Sequence, residues 1–247
     1  MAVRNRRPIP ILMYHQIDAP PPRGTPFRGL TVAPQTFARH MRWLRALGYR
    51  GLSMRDLRPY LEGEREGRVV GITFDDGFAS AQRHALPVLR ETGFTATNYL
   101  VASHAGQHNF WDAANGVPSM ALMTEAQIAE WLAAGHEVGS HTLDHVDLPT
   151  LDAAAAREQI AASRERLEAL TGSPVTAFCY PYGHFGPEHA AMAREAGYLS
   201  ATTTARGRVQ TGADPWRLPR VPVVRSTHFL SLLQKLATRY EDRRSGR

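Results

Sequence analysis

Five times along the chain a helical rhythm of apolar positions gives way to a glycine and then to an apolar run. The segments are MRWLRALGYRGLS, PVLRETGFTATNYLVA, AEWLAAGHEVGSH, RLEALTGSPVTAFCY and AREAGYLSATTTA. Their glycines (Gly48, Gly93, Gly135, Gly172 and Gly197) stand where a helix needs a left-handed residue to stop. The helix starts agree: Thr124 with Gln127 forms a capping-box pattern ahead of Ile128, Trp131 and Leu132, and Pro187 suits a first helical position. The apolar runs predict strands over residues 9–14, 69–74, 96–101, 137–140, 176–180, 200–204 and 221–225. Several are nearly continuous, the pattern of parallel strands covered on both faces.

Helix and strand alternate without a linker or a break in composition, which predicts one α/β domain over residues 1–247. About seven parallel strands fit a distorted or incomplete (β/α) barrel better than an open doubly wound sheet. In either fold, chemistry collects at the carboxyl ends of the strands. Residues 103–123 form the one long stretch without clear periodicity, the kind of loop that is functional or mobile.

Composition adds bounds. With 43% hydrophobic and 21% charged residues the chain has ample material for a core. The net charge is +6, and Lys235 is the only lysine among 29 basic residues. Part of that charge sits in RNRRP (Arg4 to Pro8) and EDRRSGR (Glu241 to Arg247), which read as short solvated basic tails. The interior lacks the clustered basic and aromatic residues of a nucleic-acid surface, so no nucleic-acid partner is expected. Cys179 is the sole cysteine, so no intrachain disulfide forms. The apolar IPILMYH is too short for a signal-peptide core, and no run reaches a membrane span, so a cytoplasmic location is expected.

The candidate chemistry lies at predicted strand ends. Asp75 and Asp76 follow the second strand in TFDDG, although adjacent carboxylates repel and are poor strand formers. His141 and His145 end the fourth strand in SHTLDH, and an H-x-x-x-H spacing brings two imidazoles to one side of a helical turn. Two histidines and a carboxylate make a three-ligand metal set that leaves positions open for water and substrate. After the fifth strand, YPYG uses Pro181 to fix a turn, aiming the amides of Tyr182 and Gly183 into the pocket as oxyanion donors.

TFDDG, SHTLDH and YPYG in this order, with the early MYHQI, resemble the metal-dependent polysaccharide deacetylases of carbohydrate esterase family four. The MYH start resembles the subgroup acting on β-1,6-linked poly-N-acetylglucosamine. The resemblance implies a distorted (β/α) barrel with Asp75 as general base, Asp76, His141 and His145 as ligands of one divalent metal ion, and the Tyr182 N–H as oxyanion donor. Zinc is the foremost candidate, with cobalt, nickel or iron as alternatives. A cation beside the acidic pair offsets its repulsion and keeps Asp76 ionised.

Two positions depart from the family pattern. Its third motif begins with an arginine that pairs with the catalytic aspartate, and here that position is Cys179. Arg220 in DPWRLPRV is the expected replacement. The late general-acid histidine has one match, His228 in RSTHFLSLL, at a terminal helix expected to be capped by Thr227. His15, Trp111, Pro181, Tyr182 and His184 are expected to contact substrate. The expected function is removal of N-acetyl groups from an N-acetylhexosamine glycan, oligosaccharide or glycolipid. The alternatives are hydrolysis of another C–N bond, as in a cyclic ureide or small amide, and carbohydrate binding without turnover.

Overall fold

All five helix-ending glycines adopt positive φ, between 62° and 90°, in the computed structural model, which describes residues 7–244. Residues 1–6 and 245–247, with most of the N-terminal basic run and the last residues of the chain, lie outside the described part. The Thr124–Gln127 capping box forms, and Pro187 opens its helix.

Ten strands are present among the described residues: β1 (Ile11–Tyr14), β2 (Gln16–Ile17), β3 (Thr31–Val32), β4 (Arg50–Leu52), β5 (Val69–Phe74), β6 (Thr97–Leu100), β7 (Glu137–Ser140), β8 (Ala177–Cys179), β9 (Ser200–Arg206) and β10 (Leu218–Pro222). The helices are α1 (Pro34–Ala46), α2 (Met54–Leu61), α3 (Leu86–Thr92), α4 (Glu125–Ala133), α5 (Ala153–Thr171), α6 (Pro187–Glu195) and α7 (Phe229–Ala237). The order β1-β10-β9-β8-β7-β6-β5 closes through a β1–β5 pairing into a seven-stranded parallel barrel. The barrel is distorted at β5. Its lower half, Val69 to Gly71, pairs with β4, and its upper half, Gly71 to Phe74, pairs with β1. Gly71 marks the exchange, where a Cβ would come within 2.9 Å of Leu57 and 3.1 Å of Ile11.

Sequence and structure differ at the last strand, at the shortest strands and at the C-terminus. The last strand begins at Leu218 rather than 221, because a register irregularity between Leu218 and Arg220 accommodates Pro219. Strand β4 and the β2–β3 pair had no signal: each is two or three residues long, and β4 carries Arg50 and Gly51. The described start of the C-terminal run is docked, not solvated. Glu241 is fully buried between Arg206 and Lys235, and Asp242 pairs with Arg208 at 2.7 Å. No helix among the described residues is long and apolar enough to cross a membrane.

Candidate active site

At the carboxyl end of the barrel the backbone is strained. Among the described residues, five other than glycine have positive φ, and four of them are Asp76 (74°), Thr142 (67°), His145 (56°) and Tyr182 (58°). Such conformations cost of order 1–3 kcal/mol each and persist where the surrounding structure enforces them. The strain falls in the turns that follow β5, β7 and β8. His141 and His145 therefore do not share a helical turn, as their spacing suggested. A left-handed Thr142, whose Oγ1 accepts from the His145 N–H at 3.0 Å, folds the segment back until the two rings meet edge to face, centroids 4.8 Å apart.

Asp75 faces the barrel interior and is 2% exposed. Arg220, fully buried, grips both its oxygens, Nη1 to Oδ1 at 2.6 Å and Nη2 to Oδ2 at 2.7 Å. Burial alone raises the Asp75 pKa, but the charge and hydrogen bonds of Arg220 outweigh it and hold the carboxyl below its ordinary value. The remaining Arg220 donors reach the Thr203 carbonyl, Thr73 Oγ1 and Cys179 Sγ. His15, directly after β1, places Nε2 3.8 Å from Asp75 Oδ2.

Asp76 points the other way. Its Oδ1 lies 3.4 Å from His141 Nε2 and 3.3 Å from His145 Nε2. His141 Nδ1 is engaged by the Cys179 carbonyl at 2.8 Å; with the proton there, Nε2 presents a lone pair to the carboxylate. Two lone pairs and an anion facing one another call for a cation, and one carboxylate with two imidazoles fits a divalent ion of the zinc type. Burial opposes the charged form of Asp76, yet hydrogen bonds and charge from protonated His141 and His145 hold its carboxyl well below the ordinary range; a cation in the same place would do so in their stead. A second donor group, Asp75 with His141 and Cys179, is geometrically close. It is the poorer site, because Arg220 already occupies both Asp75 oxygens and the Cys179 sulfur.

Asp75, Asp76, His141 and His145 open onto a cavity of about 680 Å³. His15, Trp111, Tyr182 and His184 line it, as does Asp112. Trp111 stacks on His145, and His184 sits exposed at the rim beside Asp147, Nδ1 to Oδ2 at 3.2 Å. Pro181 does not line it: its ring is buried behind the turn. His228 is also elsewhere. It is the exposed N-cap of α7, its N–H donating to Ser231 Oγ at 2.8 Å; it does not line the cavity, and it replaces Thr227 as the capping residue. One wall was missed at the sequence level: Pro21, Thr25, Pro26, Phe27 and Leu30 face the cavity from the segment after β2. The signal was present in APPPRGTPFRG, a second aperiodic stretch rich in proline and glycine.

A barrel with an Asp/His/His set beside an arginine-clamped carboxylate defines the class of metal-dependent hydrolases. The polysaccharide deacetylase family model matches residues 62–201, more than half of the chain, and the chain belongs to that family. The poly-β-1,6-N-acetyl-D-glucosamine N-deacetylase of Staphylococcus epidermidis is 27% identical over 218 residues, 84% of this chain and 73% of that protein. IcaB from Ammonifex degensii superposes with a TM-score of 0.77 at 27% identity, covering 93% of this chain and 96% of that one. The Streptococcus pyogenes deacetylase PplD, solved with acetate, shares the fold at a TM-score of 0.81 and 24% identity, over 94% of this chain and 99% of its own. Of the three readings left by the sequence, family membership selects the enzyme that removes N-acetyl groups from N-acetylhexosamine glycans.

Proposed function

We propose that the chain hydrolyses the acetamide of a poly-N-acetylglucosamine glycan of the β-1,6-linked kind, using Asp75 as base and Asp76, His141 and His145 to hold one zinc ion. The observation that carries this reading is the division of labour between the two aspartates. Arg220 occupies Asp75 and leaves it no part in ligation, whereas Asp76 faces the two imidazoles. The relative from Staphylococcus epidermidis supports the choice of glycan.

A zinc ion held there supplies Lewis acidity, acidifying water and polarising the acetamide carbonyl. The chain's own groups do the rest. Asp75 accepts the proton of the attacking water as its oxygen bonds to the carbonyl carbon. The Tyr182 N–H is not consumed by its turn, whose hydrogen bonds run from Gly183 to Tyr180 and from His184 to Pro181, so it serves as donor to the developing oxyanion. When the C–N bond breaks, the departing amine needs a proton. His15 replaces His228 in that role, since it lines the cavity on the Asp75 side. Acetate and the free amine leave.

The test is Asp75→Asn. Acetate release from an N-acetylglucosamine oligomer should fall by roughly 10²–10⁴-fold, the usual worth of a general base, with zinc content unchanged. Loss of zinc in this variant would mean that the two aspartates have been assigned the wrong way round.

A further inference from the structure

The two candidate ligand histidines are held in different ways. His141 has the hydrogen-bonded outer contact that metal-binding histidines almost always show, from Nδ1 to the Cys179 carbonyl. His145 has none: its Nδ1 is buried and meets no hydrogen-bond partner among the described residues. Its ring is gripped by aromatic faces instead. Trp111 lies parallel to it, centroids 4.7 Å apart and planes at 16°, and Tyr182 meets it edge-on at 4.7 Å and 81°.

Trp111 is itself fixed. It belongs to a 3-10 turn, Phe110–Asn115, preceded by Asn109, which is 2% exposed. Asn109 Oδ1 accepts from the Met120 N–H at 2.6 Å, and its amide donates to the Pro118 carbonyl at 3.4 Å, closing the loop behind the indole. The aperiodic stretch 103–123 is thus an ordered wall that delivers one flat ring onto His145.

We propose that Trp111 is a positioning residue of the metal centre, its indole face setting the plane of the His145 imidazole where a hydrogen bond would ordinarily do so. The proposal rests on the reading that Asp76, His141 and His145 hold one ion. It assigns Trp111 a task different from the sugar contact expected of it: the stacked face is committed to protein. A ring free to turn about its side-chain torsions presents Nε2 to the ion only part of the time, and parallel packing removes that freedom.

The experiment measures zinc affinity of the full chain by competition with a chromophoric chelator, alongside the d–d absorption of the Co²⁺-loaded protein. Outer contacts of ligand histidines are worth 10–100-fold in metal affinity, and Trp111→Ala should weaken zinc binding by about tenfold and change the Co²⁺ spectrum. Trp111→Phe keeps a flat face and should recover most of the affinity. Trp111→Leu fills the space without a ring and should behave as Ala does, so a folding failure in the Ala variant does not remove the test. Asp76→Asn separates the two readings. If wild type binds no zinc, or Asp76→Asn binds it as wild type does, the metal site has been misassigned and the proposal falls with it. If Asp76→Asn loses zinc while Trp111→Ala and Trp111→Leu bind at wild-type affinity, the metal site stands and the positioning role of Trp111 is overturned. A raised KM in those two variants would then return the residue to substrate.

Discussion

Replacing Arg220 by lysine tests the link between the guanidinium and the pKa of the base. Arg220 uses all five of its N–H groups: Nε to the Thr203 carbonyl at 2.8 Å, Nη1 to Thr73 Oγ1 at 3.1 Å and Asp75 Oδ1 at 2.6 Å, Nη2 to Asp75 Oδ2 at 2.7 Å and Cys179 Sγ at 3.2 Å. Lysine keeps the charge but cannot make two parallel bonds to one carboxylate. A hydrogen bond to a charged group is worth about 1.5–3 kcal/mol, and a pKa unit corresponds to about 1.4 kcal/mol, so losing one such bond raises the Asp75 pKa by about one to two units. The sign follows from the structure: Arg220 holds the carboxyl below its ordinary value against burial, so weakening that hold moves it up. A base with a higher pKa is protonated at higher pH, and the acidic limb of kcat/KM moves up by about one to two pH units. Above the limb, looser orientation of the carboxylate lowers the rate by roughly tenfold. The assay is acetate release from an N-acetylglucosamine oligomer across the pH range, with zinc content measured on the same samples. An unmoved limb with wild-type rate, or loss of zinc, would refute the reasoning. Alanine is the wrong probe, because stripping a buried carboxylate of its partner costs about 3–5 kcal/mol of stability and confounds the kinetics.

Three further outcomes are expected. His15→Gln should lower kcat by about 10²-fold with zinc retained and KM little changed, whereas a purely substrate-binding His15 would show itself in a raised KM. Gly183→Ala should destabilise the chain by about 1–3 kcal/mol in chemical denaturation, because Gly183 has φ 74° and an added Cβ would meet Thr204 Oγ1 at 1.8 Å. His228→Ala should leave kcat/KM unchanged within error, since the exposed α7 cap lies outside the cavity; a large loss would reinstate His228 as the proton donor.

The parts of the fold legible in the sequence are those fixed by local chemistry. Each glycine stop, the Thr124 cap and the Pro187 start depend on residues a few positions apart, and buried parallel strands announce themselves by unbroken apolar runs. Strand β4 was not legible because three residues, one of them arginine, carry no period. Within the site, Asp75, Asp76, His141 and His145 were readable as donors because carboxylates and imidazoles at strand ends have little other use. How they are held was not readable. The left-handed Thr142 that brings His145 back has no signature in SHTLDH, and Trp111 gave no sign that its partner would be an imidazole and not a sugar. Such contacts join residues far apart in the chain, and only the closed barrel decides them.

The arginine shows how a motif can lack a residue while the charge that residue supplies is still present. A general base needs a cation at a point in space, and inside a narrow barrel several strands can deliver one to that point. β8 and β10 both flank β9, so Cys179 and Arg220 approach Asp75 from positions one strand apart. Where the resembling family's third motif puts an arginine on the β8 side, this chain puts a small side chain, which leaves room for the guanidinium of Arg220 to arrive from β10. Cys179 then contributes as an acceptor, taking the Nη2 hydrogen that Asp75 does not. An arginine fully buried with any N–H unpaired would be costly. The cysteine is therefore what a β10 arginine requires of β8, and the two positions are best read as one solution to the placement of a single charge.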